Sequence, residues 1–176
     1  MVKNGNMVHP NILQFENEIK TLPTERCAIF SADGEKILER NAFFQNLREI
    51  CGFDDSEFGR MHSQILTHNH PSKLLFSKED IILAVDAQLA ELRVVTVKGT
   101  FSLKPTSGTW PGAKLILTTF EEIGNSWDYI PTLEQSFRNA APSEGLGYFD
   151  DHDWYIQHLI WKIVAERLGL LYHRNL

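Results

Sequence analysis

No run of apolar residues in this chain approaches the roughly 18–20 needed to cross a bilayer as a helix. The opening stretch, MVKNGNMVHPNILQFENEIK, lacks the continuous apolar segment of a secretory leader. A soluble, cytoplasmic protein without a membrane partner is the expectation. Cysteine is scarce: there are two, Cys27 and Cys51, and neither sits in a CxxC pair. Cys27 falls in the apolar run Cys27-Ala28-Ile29-Phe30, so buried thiols in a reducing compartment are expected rather than a disulfide framework. Positive charge is also short, with 17 Lys and Arg against 23 Asp and Glu, a net charge of −6 and a pI near 5.6. That balance argues against coating nucleic acid, which calls for a basic surface. Internal repeats and low-complexity segments are missing too.

Apolar material is plentiful. The 176 residues are 43% hydrophobic and include 11 Phe and 4 Trp, enough for the core of one ordinary domain. Residues 1–8 are polar. From Pro10, the spacing of Ile12, Leu13, Phe15, Ile19 and Leu22 predicts a short amphipathic helix that Pro23-Thr24 ends. Glu25 to Ala32 and Lys36 to Arg40 read as strands of a hairpin around Asp33-Gly34. Ala42 to Ile50 reads as a helix, and Gly52 to Asp55 as a loop. Gln64 to Thr67 reads as a short strand that stops at His68. Ser77 is a good N-cap for a helix predicted to run to Leu92, with Ile81, Ile82, Ala84, Val85, Leu89 and Leu92 at helical spacing. Arg93 to Val97 and Thr100 to Leu103 flank Lys98-Gly99 as a second hairpin. This order predicts an α/β fold with helices around a mixed sheet.

After residue 105 the character changes. Leu115 to Ile123 and Trp127 to Phe137 carry helical spacing, Ala140 to Gly147 reads as a loop, and Asp150 to Leu168 reads as a strong helix that Gly169 stops. Residues 1–105 are therefore expected to form an α/β core, and 106–176 a helical extension packed on it. The acidic run Asp150 to Asp153 is expected to cap a helix. The tryptophans Trp110, Trp127, Trp154 and Trp161 are expected mostly to anchor the extension, and His158 and His173 to serve packing or surface.

One constellation points to chemistry. Histidines two apart on an extended chain face the same side, so His68 and His70 can converge on one ion where the strand ends. Asp80, in the first turn of the following helix, can supply a third ligand, leaving a position open for water as a catalytic zinc requires. Bound zinc would lower the pKa of that water to about 7, and a separate carboxylate must then move its proton. Taken alone, a His-x-His pair is ordinary surface or core, and Ser77-x-x-Asp80 is an ordinary cap. Asn69 and Pro71 taken alone mark a turn. Capping does not account for two histidines immediately upstream, and on the joint pattern the metal reading prevails.

The segment Leu66 to Ile81, LTHNHPSKLLFSKEDI, resembles the metal-binding stretch of the JAB/MPN (JAMM) metalloprotease superfamily. It is most like the RadC-like branch, with its His-Asn-His-Pro-Ser followed by Ser-x-x-Asp, and like JAB domains of phage and toxin-effector settings. The resemblance covers roughly residues 20–105 and implies a JAB/MPN-like, cytidine-deaminase-like α/β fold. It implies Zn²⁺ on His68, His70 and Asp80, with Ser77 steadying the tetrahedral intermediate. An upstream glutamate would act through the bound water. Glu25, leading Thr24-Glu25-Arg26-Cys27-Ala28-Ile29-Phe30, is the best match, with Glu18, Glu35 and Glu39 as rivals. The implied activity is hydrolysis of a peptide or isopeptide bond in a protein or peptide substrate, including ubiquitin-like conjugates. Two departures stand out. Nine residues separate His70 from Asp80, one fewer than the commonest family spacing, and Lys73 stands where the RadC-like segment has glycine. A non-catalytic JAB-like interaction module and a RadC-like DNA-processing protein are the competing readings.

Overall fold

The computed structural model describes residues 8–42 and 52–176. In chain order they form α1 (Pro10–Ile19), β1 (Arg26–Phe30), β2 (Lys36–Asn41), α2 (Asp55–Phe58), β3 (Ile65–Asn69), α3 (Lys78–Asp86), β4 (Glu91–Thr96), β5 (Gly99–Pro105), α4 (Ala113–Asn125), α5 (Ile130–Glu144), α6 (Tyr148–Leu168) and β6 (Leu170–Asn175). The helix expected over Ala42 to Ile50 lies, beyond Ala42, outside the described residues, as does Cys51.

The strands make one mixed sheet in the order β2-β1-β3-β4-β5-β6. Only β3 and β4 run parallel, because α3 carries the chain back between them; the other neighbours are antiparallel. Strand alternation divides the core. Ala28, Phe30 and Val95 face α1 and pack on Ile12, Phe15 and Ile19. Cys27, Ile29, Leu66, Leu92 and Val94 face the larger core built with α3, α4 and α6. Beneath α1, the Arg93 guanidinium donates to Glu16 at 2.6 and 3.1 Å and to Glu91 at 2.6 Å, while the Thr67 hydroxyl donates to Glu16 at 3.0 Å. Burial of those charges is tolerated because each is paired and hydrogen-bonded.

Several expected boundaries move. The helix read as running to Leu92 stops at Asp86, with Ala87 as its C-cap and Gln88 at φ 48°. Leu89 and Leu92 are buried, but Leu92 lies in β4, where strand periodicity happens to continue the helical apolar pattern. The loop expected over Ala140 to Gly147 is helical as far as Glu144, and Pro142 sits inside α5. The helix ends instead at Gly145 (φ 65°), whose N–H donates to the Ala141 carbonyl. The third change is topological. Gly169 stops α6 in the left-handed conformation as expected, but the chain then returns as β6, paired along β5 from Pro105↔Leu170 to Thr100↔Asn175. The C-terminal region is thus mainly helical yet also supplies a strand to the sheet. Trp110, Trp154 and Trp161 are buried, whereas Trp127 is 88% exposed in a turn and anchors nothing. Among the described residues no helix is long and apolar enough to cross a membrane.

Candidate metal centre

β3 extends to Asn69, two residues beyond the expected strand, so His68 lies within the ladder and His70 just past it. The His70 N–H donates to the Val95 carbonyl at 2.9 Å, which prolongs the alignment with β4. Alternation then sends both imidazoles toward α3, as the two-residue spacing requires. His68 is buried, 1% exposed, opposite Cys27 of β1.

Asp80 approaches from the start of α3. Its backbone N–H donates to the Ser77 hydroxyl oxygen at 3.1 Å, and its Oδ2 accepts from the Ser77 N–H at 2.7 Å, a complete capping box. Capping and ligation turn out to be compatible, because the box holds the carboxylate with both oxygens toward the histidines. Asp80 Oδ1 lies 3.1 Å from His68 Nε2, and Oδ2 lies 3.4 Å from His70 Nε2. The two Nε2 atoms are 3.0 Å apart. One donor atom from each of His68, His70 and Asp80 falls within 4.8 Å of the others, and among the described residues this is the single such cluster.

The electrostatics match that geometry. Burial works to raise the Asp80 carboxyl, but the His68 and His70 imidazoles outweigh it and hold the group well below the ordinary carboxylate range. Burial works to lower His70, and the Asp80 carboxylate, the Leu74 carbonyl and the Glu25 charge together raise it. His70 Nδ1 lies 3.0 Å from the Leu74 carbonyl, which can only accept. Nδ1 therefore donates to that carbonyl, and Nε2 is the ring nitrogen turned toward Asp80 and His68. Two imidazole nitrogens at 3.0 Å beside a carboxylate are compatible with a shared proton or with a cation between them. Two nitrogens and one carboxylate oxygen facing an open cleft are a donor set that suits zinc with a vacant position.

The cleft, about 680 Å³, is lined by Pro23, Glu25, His70, Leu74, Ser77, Asp80 and Gln157 among others. A smaller cavity of about 50 Å³ behind it is lined by Glu25, Cys27, His68 and Asp80. Glu25, 7% exposed, is thus common to both, and its charge acts on His70. The rival glutamates lie elsewhere: Glu39 is held by Arg26 and Lys36 in the hairpin, Glu18 pairs with Gln14 on α1, and neither these nor Glu35 lines the cleft. The Ser77 hydroxyl oxygen accepts from Asp80, which leaves its proton to donate into the cleft.

Lys73 has φ 66°, a left-handed conformation that favours glycine, at the position where the resembled segment has glycine. Two residues escaped the sequence reading. Asn69 is no turn residue; it ends β3 and is 1% exposed with its amide fully bonded. Gln157 of α6 accepts the Leu75 N–H at 3.2 Å and brings the C-terminal helices to the cleft wall. No local signal marks Gln157, whereas an asparagine between two candidate ligands at a strand end could have drawn notice. His158 meets Tyr172 in the core, His173 is exposed, and Asp151, in the first turn of α6, accepts from the Gly147 N–H at 2.9 Å. Comparison with family models, with curated proteins and with solved structures finds no match to this chain.

Proposed function

We propose that this chain is a zinc-dependent metallohydrolase of JAB/MPN (JAMM) type that cleaves a peptide or isopeptide bond. The observation that carries the reading is the convergence of His68, His70 and Asp80 within 4.8 Å at the wall of an open cleft. Zinc bound there would lower the pKa of a coordinated water to about 7 and polarise the substrate carbonyl. Glu25, which shares both cavities with the ligands, takes a proton from the attacking water and returns it to the leaving amine. Ser77 donates its hydroxyl proton to the oxygen that gains charge, held in place by the capping box.

The cleft wall favours an amide over a phosphate. Leu74, Leu75, Phe76, Pro23 and Pro71 supply apolar surface, and no lysine or arginine is among its lining residues. Such a wall has no counter-charge for a nucleic-acid backbone or for a terminal carboxylate, so an internal peptide or an isopeptide bond fits best. A ubiquitin-like conjugate and a phage or effector setting follow from the resemblance alone.

Metal analysis of protein purified without chelator is the test, with about one zinc per chain expected. His68→Ala should lose the metal. Glu25→Gln should keep it and cut turnover of a peptide or isopeptide substrate by about 10²–10⁴-fold. A wild-type protein that takes up no zinc at micromolar concentrations refutes the proposal.

A further inference from the structure

The antiparallel ladder between β1 and β3 ends at the pair Cys27↔His68. One residue further on, the Arg26 N–H donates to the side-chain oxygen of Asn69 at 2.8 Å. The same side chain turns its nitrogen to the other side, donating to the Thr24 carbonyl at 3.2 Å and to the Leu22 carbonyl at 3.3 Å. An N–H on one side and two carbonyls on the other leave a single way to orient the amide, and every hydrogen-bonding group it has on that edge is used.

The residues held in this way bracket Glu25. The Thr24 carbonyl belongs to the peptide group before Glu25, and the Arg26 N–H to the peptide group after it. The Glu25 carbonyl is also occupied, accepting the Ala42 N–H at 3.0 Å. With both flanking peptide planes fixed, the direction in which the Glu25 Cβ leaves the backbone is fixed as well. Glu25 lines the same cleft as His70 and Asp80, and the same smaller cavity as His68 and Asp80. Alternation completes the arrangement: His68 and His70 turn one way to the ligand site, and Asn69 between them turns the other way to the chain that carries Glu25.

We propose that Asn69 is a positioning residue for Glu25, its amide clamping both peptide groups that flank the glutamate and so aiming the carboxylate at the His68, His70 and Asp80 site. The inference rests on the metallohydrolase reading, and it accounts for an asparagine between two ligands that the ligand set leaves unexplained. Neighbouring carboxylate charge shifts the titration of groups a few ångströms away by about one pH unit or more. The role is therefore visible without a substrate.

The experiment loads the full chain with cobalt(II) and follows the visible absorption band through a pH titration. Glu25→Gln removes a negative charge beside the site and should lower the midpoint by about one pH unit. Asn69→Ala should lower it in the same direction while still binding one cobalt per chain. The double variant should match Glu25→Gln alone, because a clamp has nothing to aim once the carboxylate is gone. Asn69→Gln, which displaces the amide by one methylene, replaces the alanine variant if that protein does not fold, and should shift the midpoint likewise. An Asn69 variant that binds cobalt with the wild-type midpoint, or a double variant whose shift is the sum of the two, overturns the role assigned to Asn69. An unmoved midpoint in Glu25→Gln overturns it too. The lack of any cobalt band in the wild type would instead overturn the metal reading, so the two failures are told apart.

Discussion

Asp80 both caps α3 and faces the two histidines, and two substitutions separate these roles. Asp80→Ala removes the oxygen that accepts the Ser77 N–H and the negative charge at the helix start. A lost cap and dipole contact cost about 1–2 kcal/mol in the metal-free protein. Asp80→Asn keeps an oxygen for the Ser77 N–H, so only the charge is lost, about 0.3–1 kcal/mol. Zinc affinity should collapse in both. A ligand present at 1,000 times its dissociation constant stabilises the folded state by about 4 kcal/mol. For a chain of this size that is a rise of about 8–16 °C in Tm. Thermal melts with and without zinc, read with metal stoichiometry, give the answer. The pH has to be chosen with care. The His70 value is raised above its usual 6.5 mainly by Asp80 acting against burial, so the metal-free wild type gains stability from the pair below 6.5. That gain fades as pH rises through the folded His70 value, and both variants lack it; melts are therefore compared at the alkaline end. The reasoning fails if Asp80→Asn shows the full zinc-dependent rise, or if metal-free Asp80→Ala melts with the wild type.

Three further outcomes follow from the structure. Burial, with Arg174 and Lys162 nearby, pushes His158 down to about 4 from 6.5, so it stays neutral and its Nδ1 accepts from Tyr172 at 2.7 Å. Unfolding between those values takes up a proton; the stability present above pH 6.5 should fall by about 3 kcal/mol as pH drops to 4, and denaturant titrations of His158→Phe should lose that slope. At Lys73, φ 66° strains any residue with a Cβ, and Lys73→Gly should leave stability unchanged or raise it by up to about 1 kcal/mol, whereas Lys73→Val should lower the melting temperature. Arg93→Met leaves the buried Glu16 carboxylate without its main partner and should destabilise by about 3–5 kcal/mol in urea titrations; a loss under 1 kcal/mol would refute the importance of the pair.

Local chemistry was legible where one segment decides its own structure. The ten residues of α1, the two hairpins, the Ser77 cap and the Gly169 stop follow from periodicity and turn residues that act within a few positions. The convergence of His68, His70 and Asp80 was legible for the same reason: the histidines share a side because strands alternate, and Asp80 faces back because it stands at the third position of a helix. Where two periods overlap, local reading failed. Leu89 and Leu92 continue the apolar pattern of α3, yet the pairing of Leu92 with Leu66 and Leu103 places it in β4. Likewise β6 carries only a weak pattern in Leu170 to Asn175, and it becomes a strand because β5 offers an open edge.

Glu25 marks the division most sharply. By itself the sequence placed two histidines, a capped aspartate and a glutamate-led strand in one chain, since residue type, spacing and alternation are local properties. That Glu25 lines the cleft, while Glu18, Glu35 and Glu39 do not, was decided by strand pairing, with the Arg26 N–H donating to the Asn69 side chain across 43 residues. That Gln157, 82 residues from Leu75, forms part of the cleft wall was decided by α6 packing on the sheet. Contacts of that separation have no signature in any window of the sequence, because they exist only once the core has closed around them.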